Sequence, residues 1–117
     1  MTPQERPDAD AAGPDGVQAV FAALADPTRR EVVARLAAGE QSPTELADVL
    51  PITRQAVSKH LASLDAAGLV RARRVGRERR YALEPAPLTE VLAWIGDVGE
   101  QWDRRLARLT EIVDRDG

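Results

Sequence analysis

Apolar side chains recur at two different periods along this 117-residue chain, and the changes of period divide it into elements. Val17, Val20, Phe21 and Leu24 are spaced as on one side of a helix, and Val32, Val33 and Leu36 resume that spacing after an Ala-Asp-Pro break. Asp26 suits an N-cap and Pro27 the first helical position, where a missing N–H costs nothing, so a helix is predicted over about 27–38, stopping at Gly39. "SPTELADVL" carries a stronger start signal: Ser42 as N-cap, Pro43 after it and Glu45 at the third position form a capping box ahead of Leu46, Val49 and Leu50. Pro51 keeps that helix short. Thr53 can cap the next one, which runs until Gly68 supplies a left-handed residue. Two capped helices this close together are a helix-turn-helix candidate.

After Gly68 the period falls to two. "LVRARRV" and "RRYAL" alternate around "GRE", which predicts a β-hairpin with strands of about 70–75 and 79–83. Pro85 and Pro87 close the hairpin, and a long helix is predicted over about 88–113. On it Leu88, Ile95, Trp102 and Leu109 recur every seven residues, and Leu92, Gly99, Leu106 and Val113 form a second such row. A helix of that length, roughly 39 Å at 1.5 Å per residue, exceeds what its own small domain needs to cover, so the seam implies a partner. Gly96 and Gly99 each cost about 1 kcal/mol in a helix interior, which close approach of another backbone would explain. Residues 1–16, with three prolines, two glycines and four acids, bury too little apolar surface to offset ordering and are expected to form a flexible tail before a domain over 17–113.

Candidate chemistry concentrates in "TRQAVSKHLASLDAAGLV", which holds the chain's only histidine and only lysine. At about 100° per residue Val57, Leu61 and Leu64 share one narrow stripe, while Gln55, Lys59, Ala62 and Ser63 fall opposite and Ser58 lies to the side. Ser58 and His60 are two residues apart and do not face each other, so no nucleophile–base couple forms and no catalytic residue is assigned. His60, on the flank, is expected to pack or hydrogen-bond between helices. The narrow polar outer face is instead what insertion into a DNA major groove requires. In the hairpin, "RRVGRER" sets Gly76 among Arg73, Arg74, Arg77 and Arg79, presenting guanidinium groups to a phosphate backbone or a minor groove, with Tyr81 and Leu83 turned inward. Trp94 and Trp102 are expected in the core or an interface.

Charge sharpens this picture. The net charge of −3 would by itself argue against a polyanionic partner, yet residues 53–83 hold eight cations (Arg54, Lys59, Arg71, Arg73, Arg74, Arg77, Arg79, Arg80) and two acids (Asp65, Glu78). That segment is +6 and the remainder −9. With no cysteine and one histidine, disulfides, thiolate ligands and an imidazole zinc cluster within one chain are excluded, and no metal or cofactor is expected. There is no apolar run of membrane-spanning length, and the N-terminus lacks a signal peptide's charged start and apolar stretch, so no membrane association and a cytoplasmic location are expected.

"LADPTRREVVARL", "SPTELADVL", "TRQAVSKHLASLDAAGLV" and "GRERRYAL" together resemble the ArsR-type winged helix-turn-helix repressors over about residues 17–113, "VSKHL" followed by "AGLV" being the most specific piece. The resemblance implies a mainly α fold of five helices with a β-hairpin wing, dimerising through the first and last helices. It implies a homodimeric repressor on double-stranded DNA carrying an inverted repeat, with half-sites about one helical turn apart. It places Gln55, Ser58 and Lys59 on base-reading positions and Arg77 and Arg79 at the wing tip; Thr53, Arg54, Arg73 and Arg74 complete the expected DNA contacts. The interface it implies comprises Val17, Val20 and Phe21 with Leu88, Leu92, Ile95, Gly99, Trp102, Leu106 and Leu109. The paired cysteines or last-helix histidine ligands of metal-sensing members are missing, and "VLAWIGDVGEQWDRRLARL" is similar to a metal-independent branch. A small-molecule effector remains unassigned. A winged helix that binds protein without DNA affinity is the competing reading, and a small enzyme a distant third.

Overall fold

The computed structural model describes residues 14–116. Among them the order is α1 (Pro14–Ala23), α2 (Pro27–Ala38), α3 (Pro43–Val49), α4 (Arg54–Ala66), β1 (Val70–Val75), β2 (Glu78–Leu83) and α5 (Ala86–Asp116). This is the winged helix-turn-helix: five helices and a two-stranded antiparallel hairpin.

Capping sets the boundaries. The Asp26 carboxylate accepts from the backbone N–H of Thr28 at 2.7 Å and of Arg29 at 3.1 Å, starting α2. In the Ser42–Glu45 box, Glu45 N donates to Ser42 Oγ at 3.1 Å and Ser42 N to Glu45 Oε1 at 2.9 Å. Thr53 Oγ1 accepts from Ala56 N at 3.0 Å and opens α4. At the other end of α4, Gly68 has φ 77°, and Gly68 N donates to Asp65 O while Leu69 N donates to Leu64 O, the paired bonds of a Schellman stop. That stop turns the chain sharply enough for Leu69 and Val70 to enter the core.

Val57, Leu61 and Leu64 of α4 are buried as the stripe predicts, in one core with Val32 and Leu36 of α2, Leu46 of α3 and Leu50 just after it. The recognition-type helix is thus anchored along one edge, with Gln55, Ser58 and Lys59 exposed on the other. His60 lies between helices: its Nδ1 accepts from Arg29 Nε at 3.4 Å, while Arg29 Nη1 donates to Ala23 O at 3.1 Å.

Strand β1 pairs with β2 from Val70↔Leu83 to Val75↔Glu78, leaving Gly76 and Arg77 as a two-residue turn. Gly76 has φ 63° and Arg77 does not have positive φ, the pattern of a type II′ turn, in which glycine supplies the first central residue. The second strand starts one residue earlier than its alternation suggests, because Glu78 pairs with Val75. A bridge between Gln41 and Tyr81 ties the base of the hairpin to the α2–α3 connection.

Besides the start of β2, three boundaries differ from those expected, and some residues expected at an interface pack within their own chain. Helix α1 begins at Pro14, so 14–16 are helical; the flexible tail expected for the residues before them lies outside the described residues. Helix α5 spans 31 residues, about 46 Å, and extends beyond both predicted ends. Val17 and Val20, expected at an interface, are 7% and 1% exposed and belong to the core of their own chain, where Val91 of α5 joins them. Leu88 is likewise half-buried against that core. One apolar stripe cannot say which layer covers it, and here α5 of the same chain does.

Candidate nucleic-acid interface

Arg54, Gln55, Ser58 and Lys59 line one open concavity on the outer side of α4. Arg54 also faces a second cleft, shared with Ser42, Pro43 and Thr44 at the start of α3 and with Arg77, Glu78 and Arg79 of the wing. The helix and the hairpin therefore present one continuous cationic surface, joined at Arg54. Thr53 is exposed; its Oγ1 accepts the cap hydrogen bond from Ala56 N, and its O–H stays free to donate.

The register of the hairpin sorts its arginines. Arg73 pairs with Arg80 and Arg74 with Arg79, two like-charge cross-strand pairs on opposite faces, each of which is destabilising alone. The first pair is neutralised. Glu40, from the α2–α3 connection, accepts from Arg73 through both carboxylate oxygens, at 2.7 and 3.0 Å, and from Arg80 Nε at 3.2 Å. Arg80 also donates to Glu40 O at 3.1 Å and to Glu78 Oε1 at 3.0 Å, and lies 3.1 Å from Glu45 Oε1. Arg71 pairs with Glu84 at 3.1 Å. Arg73, expected at the nucleic acid, is therefore turned to an internal carboxylate. Arg54, Lys59, Arg74, Arg77 and Arg79 have no carboxylate partner among the described residues.

Glu40 was not legible as part of this site, since its partners are 33 and 40 residues away and no periodic pattern marks it. Thr44, exposed beside Arg54 and the wing, had only the helix start at Ser42 as a signal.

Three carboxyls are held below their ordinary range: Asp26 by the Arg29 backbone N–H, Glu40 by hydrogen bonds from Arg73, and Glu45 by the Ser42 backbone N–H. Each is more acidic folded than unfolded, so the unfolded chain binds more protons as pH falls, and stability present above the ordinary carboxylate range is lost below it. Denaturant midpoints are expected to stay level from pH 7 to about 5 and to fall below about pH 4, and Glu40→Gln should reduce the size of that fall.

An apolar stripe along α5 is uncovered among the described residues. Leu92, Ile95, Trp102, Leu106 and Leu109 are exposed, and a Cβ built on Gly96 or Gly99 would meet nothing within 4 Å. Phe21 is also exposed, its ring meeting the edge of Trp94 at 5.8 Å between centroids. Among the described residues no helix is long and apolar enough to cross a membrane, and no cluster of three or more His, Cys, Asp or Glu could hold a metal ion.

A polar reading helix beside a cationic hairpin on a helix-turn-helix scaffold defines a winged-helix DNA-binding protein. A family profile described as "Helix-turn-helix domain" matches residues 24–73. The HTH-type transcriptional regulator Rv2034 of Mycobacterium tuberculosis is 42% identical over 95 residues, which cover 81% of this chain and 86% of that protein. The structure of an ArsR-like transcriptional regulator from Rhodococcus sp. RHA1 superposes with a TM-score of 0.78 at 44% identity, over 84% of this chain and 92% of that one. A homodimeric winged helix-turn-helix DNA-binding domain, Mb0332 from Mycobacterium bovis, has a TM-score of 0.63 at 28% identity, over 90% of this chain and 95% of that one. The chain belongs to the ArsR family of transcriptional regulators, and it is a DNA-binding regulator.

Proposed function

We propose that this regulator acts as a homodimeric, metal-independent repressor that binds an inverted repeat with half-sites about one helical turn apart, α4 entering the major groove and the hairpin gripping the flanking backbone. The observation that carries this reading is the Arg74–Arg79 pair. Two guanidinium groups face each other across the strands without a carboxylate among the described residues, in the same hairpin where Arg73 and Arg80 have one. A phosphate supplies the missing counter-charge. Gln55, Ser58 and Lys59 are the base readers, and Arg54, Arg77 and Arg79 hold phosphates.

Support for the dimer comes from the uncovered face of α5 and from the homodimeric state of Mb0332. Leu92 and Leu106 lie symmetrically about Gly99, so two antiparallel copies of α5 crossing at Gly99 bring each leucine against the other copy's counterpart. Metal independence is supported by the absence of cysteine and the single histidine.

The test is a binding titration on the DNA upstream of the protein's own gene, at two salt concentrations, against a scrambled duplex of equal length. Lys59→Ala is expected to cost about 1–3 kcal/mol on the upstream DNA and much less on the scrambled duplex. Arg77→Ala should weaken both and lower the salt slope by about one. Equal affinity of the unsubstituted protein for both duplexes would refute sequence-specific recognition.

A further inference from the structure

We propose that Glu40 is the positioning residue of the wing: by holding Arg73 and Arg80 together it sets the hairpin where Arg74, Arg77 and Arg79 can reach DNA. This rests on the wing's contact with DNA proposed above. A two-stranded hairpin is marginal by itself, and this one extends beyond the core, with every residue from Arg73 to Arg79 exposed. Besides the packing of Tyr81 against the core, two polar features tie its middle to the body of the protein among the described residues. One is the Gln41–Tyr81 bridge, at 3.0 and 2.8 Å. The other is the ion cluster beside it, in which Glu40 and Glu45 contribute from the body, Arg73, Glu78 and Arg80 from the strands.

Within that cluster Glu40 has a part that no other acid duplicates. Glu45 contacts Arg80 alone and is already engaged by the Ser42 cap; Glu78 is on the hairpin itself and cannot anchor it. Glu40 bridges both strands to the connection before α3, using two oxygens for Arg73 and one of them again for Arg80. Without its charge, Arg73 and Arg80 repel across the strands at the point where the hairpin leaves the core, and the tip loses its fixed angle to α4. Glu40 touches no candidate DNA-contacting cation other than Arg73, so its influence on binding passes through the hairpin.

Two measurements on the full chain test this. In a double-substitution cycle on the upstream duplex, Arg79→Ala alone is expected to lower affinity about tenfold, but about twofold or less in the Glu40→Gln background, because a displaced wing no longer uses Arg79. Full additivity of the two losses would overturn the proposal. Hydrogen exchange without DNA should accelerate at the amides of 71–75 and 79–82 in Glu40→Gln and not at those of α4, and adding Arg73→Gln, which removes the repulsion, should restore protection. Unchanged exchange in Glu40→Gln, or no restoration by Arg73→Gln, would also overturn it. If Arg79→Ala binds as tightly as the unsubstituted protein, the wing's DNA contact fails, and the exchange experiment still decides the role of Glu40.

Discussion

Leu106→Arg is expected to convert the protein into a folded monomer that binds a full inverted repeat about 10²–10⁴-fold more weakly, while its affinity for an isolated half-site changes little. Leu106 is exposed on α5, far in sequence from Val91, the residue of that helix buried in the core, so a charge there disturbs no packing within the chain. In the antiparallel dimer the same position faces Leu92 of the other copy, so the substitution would bury an unpaired guanidinium group against a leucine at two places in the seam and oppose association. The affinity loss follows from connectivity: once one half-site is occupied, the second is bound at high effective concentration only if the two domains are joined. Molecular mass at micromolar concentration and titrations on full and half sites check both parts. An unaltered mass, or an equal loss on the half-site, would show that the seam has been placed wrongly.

The second large effect is on stability. Leu61→Ala should lower the unfolding free energy by about 2–5 kcal/mol, a large part of the roughly 5–15 kcal/mol typical of a domain. Leu61 is fully buried on α4, between Val57 and Leu64 and directly beneath the reading face. Truncation leaves a cavity that α2 and α3 can only partly close, since each is fixed at its N-terminus by a cap. Gln55→Ala, on the opposite side of the same helix, should stay within about 0.5 kcal/mol. Urea unfolding separates the two: the midpoint drops for Leu61→Ala at unchanged slope and is almost unmoved for Gln55→Ala.

The helix boundaries were legible because their causes are local. Asp26, Ser42 with Glu45, Thr53 and Gly68 each satisfy backbone groups within four residues, so short motifs suffice to place them. The buried stripe of α4 follows from helical geometry, and with it the outward direction of Gln55, Ser58 and Lys59. Charge was legible as a total for residues 53–83 but not in its distribution. Alternation shows that Arg73 and Arg74 point to opposite sides of the hairpin, and nothing nearby in sequence indicates which side has an acid waiting. Glu40 answers that from 33 residues away. The same limit explains Val17 and Val20, whose apolar stripe is equally suited to a neighbouring helix of the same chain or of another.

Both tryptophans, Trp94 and Trp102, stand on α5, and α2, α3, α4 and the hairpin have none. Indole emission is therefore a built-in reporter of what happens along that helix and is blind to the half of the molecule that meets DNA. Dilution through the association equilibrium should shift the emission to the red as Trp102 becomes wetter, and saturating the dimer with operator should leave it nearly where it was.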